Sequence, residues 1–209
     1  MDPQRLRLMV ITDSRLAGDR GVVRQVERAL GAGAPAVQLR EKEMGAGAAL
    51  ELGRRLRTLT REHGALFLVN DRLDLALATE ADGVHLGPAD LPVAEVRRHA
   101  PPDFLIGYST DDPETAGQAQ ADGADYLGCG TVWPTSSKED PGAVIGPEGL
   151  AQVAAAVSIP VVAIGGITPA RARELAGCGA VGIAVIGAIM AAPQPASTVR
   201  DLLAAAQSF

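Results

Sequence analysis

A chain of 209 residues, 47% of them apolar, can bury a sizeable core, and its length suits one compact domain. The formal charge of −6, with lysines and arginines scattered, leaves no basic stripe for a polyanion, so a nucleic-acid partner is excluded and a small ligand is favoured. Two cysteines without CxxC spacing exclude a disulfide framework and a zinc knuckle, while the lack of an apolar leader or of roughly 20 consecutive apolar residues predicts a cytosolic protein with no membrane partner.

In chain order, a β-rich run at Leu8 to Thr12 precedes an amphipathic segment of helical period at Val22 to Leu30. The pattern returns as a strand at Ala36 to Arg40 and a helix at Ala48 to His63, then as strands at Ala65 to Asn70 and Gly83 to Leu86 and a helix at Val93 to Ala100. Strands at Phe104 to Tyr108, Tyr126 to Cys129, Pro160 to Ile164 and Gly182 to Ile186 alternate with helices at Glu114 to Ala121, Leu150 to Val157 and Ala170 to Ala176. A last helix lies within Pro193 to Phe209 and is entered through Pro195, Ala196 and Ser197. Eight strands joined by short Gly-rich links predict parallel pairing with right-handed crossovers, and eight such units close into a (β/α)8 barrel, one domain over residues 1–209. An open doubly wound sheet is the alternative.

A barrel of this kind places its chemistry at the carboxyl ends of the strands. There, alternation along Gln38-Leu39-Arg40-Glu41-Lys42 aims Gln38, Arg40 and Lys42 to one face, and two cations in one pocket call for an acidic partner such as Glu41 or Glu43, or for an anionic ligand. Asn70-Asp71-Arg72 follows the third strand and Asp90 follows the fourth, a pair of carboxylates suited to Mg²⁺ beside a diphosphate; as helix caps, Asp71 would serve a helix starting at Arg72 and Asp90 one after Leu91-Pro92. His85 reads as a buried, hydrogen-bonded core residue with no nucleophile beside it. Gly130 to Lys138 gathers hydroxyls, amides and a cation for phosphate oxygens, with Trp133 either lining the pocket or covering the rim. Gly165-Gly166 before Thr168-Pro169, and Ile186-Gly187-Ala188 after the last strand, offer further backbone amides. Two anion sites, two metal carboxylates and no base or nucleophile triad predict catalysis by stabilising a departing diphosphate.

The ordered series Ile11-Thr12-Asp13, Val37 to Lys42, Val69 to Arg72, Ala81 to Gly87 with Asp90, Ile106 to Thr110, Gly123 to Tyr126, Trp133-Pro134-Thr135 with Lys138, Val162 to Ile167 and Ala184 to Ile186 resembles the thiamine-phosphate synthase family. The resemblance implies a transferase that joins hydroxymethylpyrimidine diphosphate to a thiazole ethyl phosphate, giving thiamine phosphate and diphosphate through a dissociative displacement. It implies that Gln38 meets the pyrimidine, that Arg40, Lys42, Asn70 and Lys138 hold the diphosphate, and that Asp71 and Asp90 hold Mg²⁺. It further places Ser109 at the reacting centre, so that Ser109, Lys138 and Arg40 form the catalytic group, and gives the thiazole phosphate to Thr135, Ser137, Gly166, Ile186 and Gly187. The partners implied are phosphorylated small molecules, and a homo-oligomer is compatible with them. Asp111 and Gly187 depart from the family's usual His and Ser. The rivals are the sister thiazole tautomerase, against which Asp71, Asp90 and Lys138 argue, and a silent paralogue that only binds thiazole phosphate.

Overall fold

A computed structural model describes residues 2–137 and 142–208. Eight parallel strands, β1 Leu8–Ile11, β2 Ala36–Leu39, β3 Leu66–Asn70, β4 Gly83–Leu86, β5 Leu105–Ser109, β6 Tyr126–Cys129, β7 Val161–Ile164 and β8 Gly182–Val185, pair in sequence order, and β8 returns to β1 to close the barrel. The closing register sets Leu8 opposite Ile183 and Val10 opposite Val185. All residues of β1, β2, β4, β6 and β8 are buried, as expected for parallel strands covered by helices outside and by packed side chains within. The carboxyl ends of β3, β5 and β7 are more open, at Asn70, Ser109 and Ile164.

The helices among the described residues are α1 Ser14–Ala17, α2 Val22–Gly31, α3 Ala46–Glu62, α4 Leu73–Ala78, α5 Val93–His99, α6 Pro113–Ala121, α7 Gly146–Ala155, α8 Pro169–Arg173, α9 Gly187–Met190 and α10 Pro195–Ala205. The periodicity of α2 is carried by Val22, Gln25, Val26, Ala29 and Leu30, all buried against the barrel. Side-chain caps fix where others start: Asp112 accepts from the Thr115 amide ahead of α6, and Thr168 from the Arg171 amide ahead of α8, each followed by Pro at the first helical position. α7 begins earlier than its apolar period because Pro147 and Glu148 favour a first turn before Leu150. The short α1 and α9 carry too few turns to show a period; α9 coils the Gly187-Ala188 segment that follows the last strand.

At the amino-terminal end of the barrel, two aspartates are matched within the fold. Asp82, just before β4, accepts both Arg57 guanidinium N–H groups at 2.9 and 3.0 Å and the Phe67 amide at 2.7 Å. Asp125, just before β6, likewise takes Arg97 and the Ile106 amide. Cys129 is buried, whereas Cys178 is half-buried and packs on the edge of the core. No helix among the described residues is long and apolar enough to cross a membrane.

Candidate active site

The carboxyl ends of the strands open into a cavity of about 430 Å³. Arg40 and Lys42 line it from the turn after β2, as the alternation requires. The Thr12 hydroxyl accepts the Arg40 amide at 2.9 Å and donates to the Arg40 carbonyl at 3.3 Å, which fixes the chain where it leaves the sheet. The Arg40 guanidinium then lies 4.0 Å from Asp13, itself the cap of α1 and paired with Arg15 at 3.4 Å. Glu41 accepts the Ser14 amide through Oε2 while its other oxygen, Oε1, is buried without a hydrogen-bond partner.

Across the cavity, the Asp71 amide donates to the His85 carbonyl at 2.8 Å, prolonging the β3–β4 ladder by one residue, and the chain then turns with Asp71 at φ 63°. Aspartate tolerates this left-handed conformation better than most side chains, at a cost of about 1 kcal/mol. The turn aims its carboxylate at Lys42 Nζ, 3.1 Å away, and at Asp90. Asp90 is held by the Gly87 amide, which donates to Oδ2 at 2.6 Å. Burial pushes the Asp90 carboxyl above the usual range; the Gly87 bond opposes this, and the adjacent Asp71 carboxylate adds to it. Among the described residues, the cavity wall thus carries Arg15, Arg40 and Lys42 against Asp13, Glu41, Glu43, Asp71 and Asp90. Such an excess of carboxylate suits a cation. Among the described residues no three His, Cys, Asp or Glu side chains gather around one point, so an ion here would take much of its shell from water or ligand oxygens, as Mg²⁺ does.

A second, smaller pocket of about 70 Å³ lies between the ends of β6, β7 and β8 and is lined by Thr135, Ser137, Gly166, Ile186 and Gly187. Gly165 and Gly166 are required here: both have positive φ, 106° and 62°. A Cβ on Gly166 would also come within 2.6 Å of the Pro134 carbonyl oxygen, and one on Gly165 within 2.8 Å of Thr131 Cα. Trp133 covers the rim beneath the Arg171 guanidinium, 5.6 Å from its ring centre, and Arg171 donates to the Gly166 carbonyl at 2.7 Å. Hydroxyls and close-packed backbone, with no carboxylate among the described residues of the lining, suit a phosphate.

Between the two lies a hollow on the barrel axis. Arg40, Asn70, His85 and Ser109 line both it and the large cavity, while Ile164 and Ala184 line both it and the small pocket. Gln38 faces this hollow, 2% exposed. His85 is buried and hydrogen-bonded as the sequence suggests, but the expectation that no nucleophilic group stands beside it is corrected: Nε2 lies 2.8 Å from Ser109 Oγ, and Nδ1 lies 2.9 Å from the Tyr126 hydroxyl. The three come from β4, β5 and β6, and sequence order does not reveal that side chains 24 and 41 positions apart meet inside the barrel. One signal was present. Gly107 and Gly128 sit at inward positions of β5 and β6, where bulky neighbours would need the room.

The remaining expectations divide plainly. Arg40, Lys42, Asn70, Ser109, Asp71 and Asp90 share the large cavity, and Thr135, Ser137, Gly166, Ile186 and Gly187 share the small one. Lys138 lies outside the described residues. Neither carboxylate caps a helix: the residue before α4 is Arg72, without a side-chain cap, and the residue before α5 is Pro92. Asp13 and Arg15 are cavity residues that the sequence reads as strand end and loop; Glu41 and Glu43 line the cavity as expected, but Arg40 and Lys42 take Asp13 and Asp71 as their acidic partners.

The family model described as thiamine monophosphate synthase matches residues 8–189. A thiamine-phosphate synthase of Moorella thermoacetica is 48% identical over 195 residues, covering 93% of each chain. One from Pyrococcus furiosus is 48% identical over 198 residues, covering 95% of this chain and 93% of its own. The solved structure of a thiamine phosphate pyrophosphorylase from Pyrococcus furiosus superposes with a TM-score of 0.89 at 45% identity, covering 98% of this chain and 97% of that one. With the barrel, its paired cavities and these likenesses all running nearly the length of the sequence, the chain belongs to the thiamine monophosphate synthase family.

Proposed function

We propose that this chain is a magnesium-dependent transferase that joins hydroxymethylpyrimidine diphosphate to a thiazole ethyl phosphate. The observation that carries the reading is the continuity of the three spaces: a carboxylate-rich chamber and a hydroxyl-lined pocket open onto one axial hollow, so two phosphorylated molecules can meet there. The bond between the pyrimidine methylene carbon and the diphosphate oxygen breaks, its electrons leave with diphosphate, and the thiazole ring nitrogen forms the new carbon–nitrogen bond.

Asp71 and Asp90 are the residues that would hold Mg²⁺, and the fit rests on their facing carboxylates, one of which is pushed up by burial and by the other. Bound there, Mg²⁺ supplies charge to offset what develops on the departing diphosphate. Arg40, Lys42 and Asn70 line the same chamber and would hold the diphosphate, and the family resemblance adds Lys138 as a further diphosphate ligand. Gln38 orients the pyrimidine from the barrel floor, and Ser109 stands at the reacting centre. Thr135, Ser137, Gly166 and the Ile186-Gly187 turn receive the thiazole phosphate. Residues of the wall hold both reactants away from bulk water, which favours capture by the thiazole over hydrolysis.

The test is release of diphosphate from the purified protein. It is expected only with both organic substrates and Mg²⁺ present, and it should stop on chelation. Turnover that survives a chelator would sink the magnesium assignment. Thiazole phosphate binding without product at saturating Mg²⁺ would select a binding protein instead.

A further inference from the structure

The Ser109–His85–Tyr126 row resembles in outline the dyad by which a histidine takes a proton from a serine. Its third member decides otherwise. Tyr126 is fully buried, and burial together with the nearby Asp125 charge pushes its hydroxyl far above the usual range, so it keeps its proton. Among the described residues the buried hydroxyl has one hydrogen-bond partner, His85 Nδ1, while the Gln38 amide donates to Met9 Sδ at 3.3 Å, so the phenol hydrogen has no other acceptor in reach. The phenol proton is therefore directed to His85 Nδ1, 2.9 Å away. A neutral imidazole that accepts at Nδ1 carries its hydrogen on Nε2, and that hydrogen points at Ser109 Oγ, 2.8 Å away.

We infer that Tyr126 and His85 form a one-way hydrogen-bond chain that makes His85 a donor to Ser109, so that Ser109 turns its own hydrogen toward the axial hollow and selects a hydrogen-bond acceptor on the substrate. His85 and Tyr126 are then positioning residues, and serine nucleophile chemistry is ruled out at this site. The barrel is built around the row. A Cβ on Gly107 would sit 2.2 Å from Tyr126 Cζ and 2.4 Å from His85 Nδ1, and one on Gly128 would sit 3.0 Å from His85 Cε1. The two rings lie 5.4 Å apart at 38°, packed side by side in the space these glycines leave.

Because the inference deepens the reading of this site as a synthase, its first test needs no turnover. Imidazole ¹⁵N spectra of the substrate-free protein, with His85 assigned by comparison with His85→Gln, should show hydrogen on Nε2 and none on Nδ1. Any other pattern overturns the chain, whereas failure of the synthase assay with this pattern intact overturns only the reaction. The second test uses carboxamides. Glutamine at 85 can offer an N–H to Ser109 and an oxygen to Tyr126, as the inferred tautomer does; asparagine is too short to reach Ser109. His85→Gln should keep turnover within about tenfold of the wild type and His85→Asn should fall well below it, whereas a general base at 85 would cost both variants roughly 10²-fold or more. Equal losses in the two variants would overturn the donor assignment.

Discussion

The two ends of the barrel use the same residue types to opposite ends. At the amino-terminal face two aspartates are engaged by their own fold: Asp82 by Arg57, whose Nε alone is left without a partner, and the Phe67 amide, and Asp125 by Arg97 and the Ile106 amide. At the carboxyl-terminal face Asp71 and Asp90 confront each other, Lys42 is paired to only one of them, and Glu41 keeps an unpartnered oxygen. A charge whose partners are all intramolecular contributes to stability; a charge left in excess is a demand on a ligand. The contrast separates residues that hold the barrel from residues that work on its contents.

If the contrast is sound, substitutions at the two faces should move different measurements. The largest effect is expected for Asp71→Asn, which retains a side chain tolerant of positive φ but removes the charge: turnover should fall on the order of 10²-fold at saturating Mg²⁺ while the melting temperature holds or rises. Full activity in this variant would end the metal assignment. Asp82→Ala should do the reverse. It leaves the Phe67 amide and the Arg57 guanidinium without their acceptor, at about 2 kcal/mol, lowering the melting temperature by roughly 4–8 °C with turnover little changed. A loss of turnover equal to that of Asp71→Asn, in protein still folded at the assay temperature, would erase the distinction between the faces.

Much of this was legible before any coordinates. Strand runs such as Gly83–Leu86 and Tyr126–Cys129 read to the residue because parallel strands buried on both faces are continuous apolar stretches ended by polar loops. The carboxylates and cations of the large cavity were legible as strand-end residues, since topology alone sends those ends to one face. What stayed hidden depends on contacts between strands. The His85–Tyr126–Ser109 row needs the register of β4 with β5 and β5 with β6, which pairs His85 with Gly107 and Gly107 with Tyr126, and no local pattern encodes it. The short α1 and α9 escaped for a related reason: four residues make one turn, too little for periodicity to register.

The smallest expected effect tests the strain of the open face directly. Asp90 holds its proton more tightly in the folded chain than in the unfolded one, chiefly through burial and then through Asp71. For an acid shifted upward, the folded state binds more protons than the unfolded state between the two values, so the proton's contribution to stability is present at low pH and lost as pH rises through the raised value. Without a cation, the mouth is therefore least comfortable at neutral pH. Asparagine at 90 can still accept the Gly87 amide but carries no charge, so Asp90→Asn should melt slightly above the wild type in magnesium-free buffer at neutral pH. The gap should close as pH drops below the ordinary aspartate value of 3.8, where the wild-type carboxyl is protonated in both states. Added Mg²⁺ should raise the wild type by binding only its folded state and leave the variant nearly unmoved. A melting difference indifferent to both pH and magnesium would mean that Asp90, like Asp82, is satisfied by its own fold, and the two faces would no longer differ in kind.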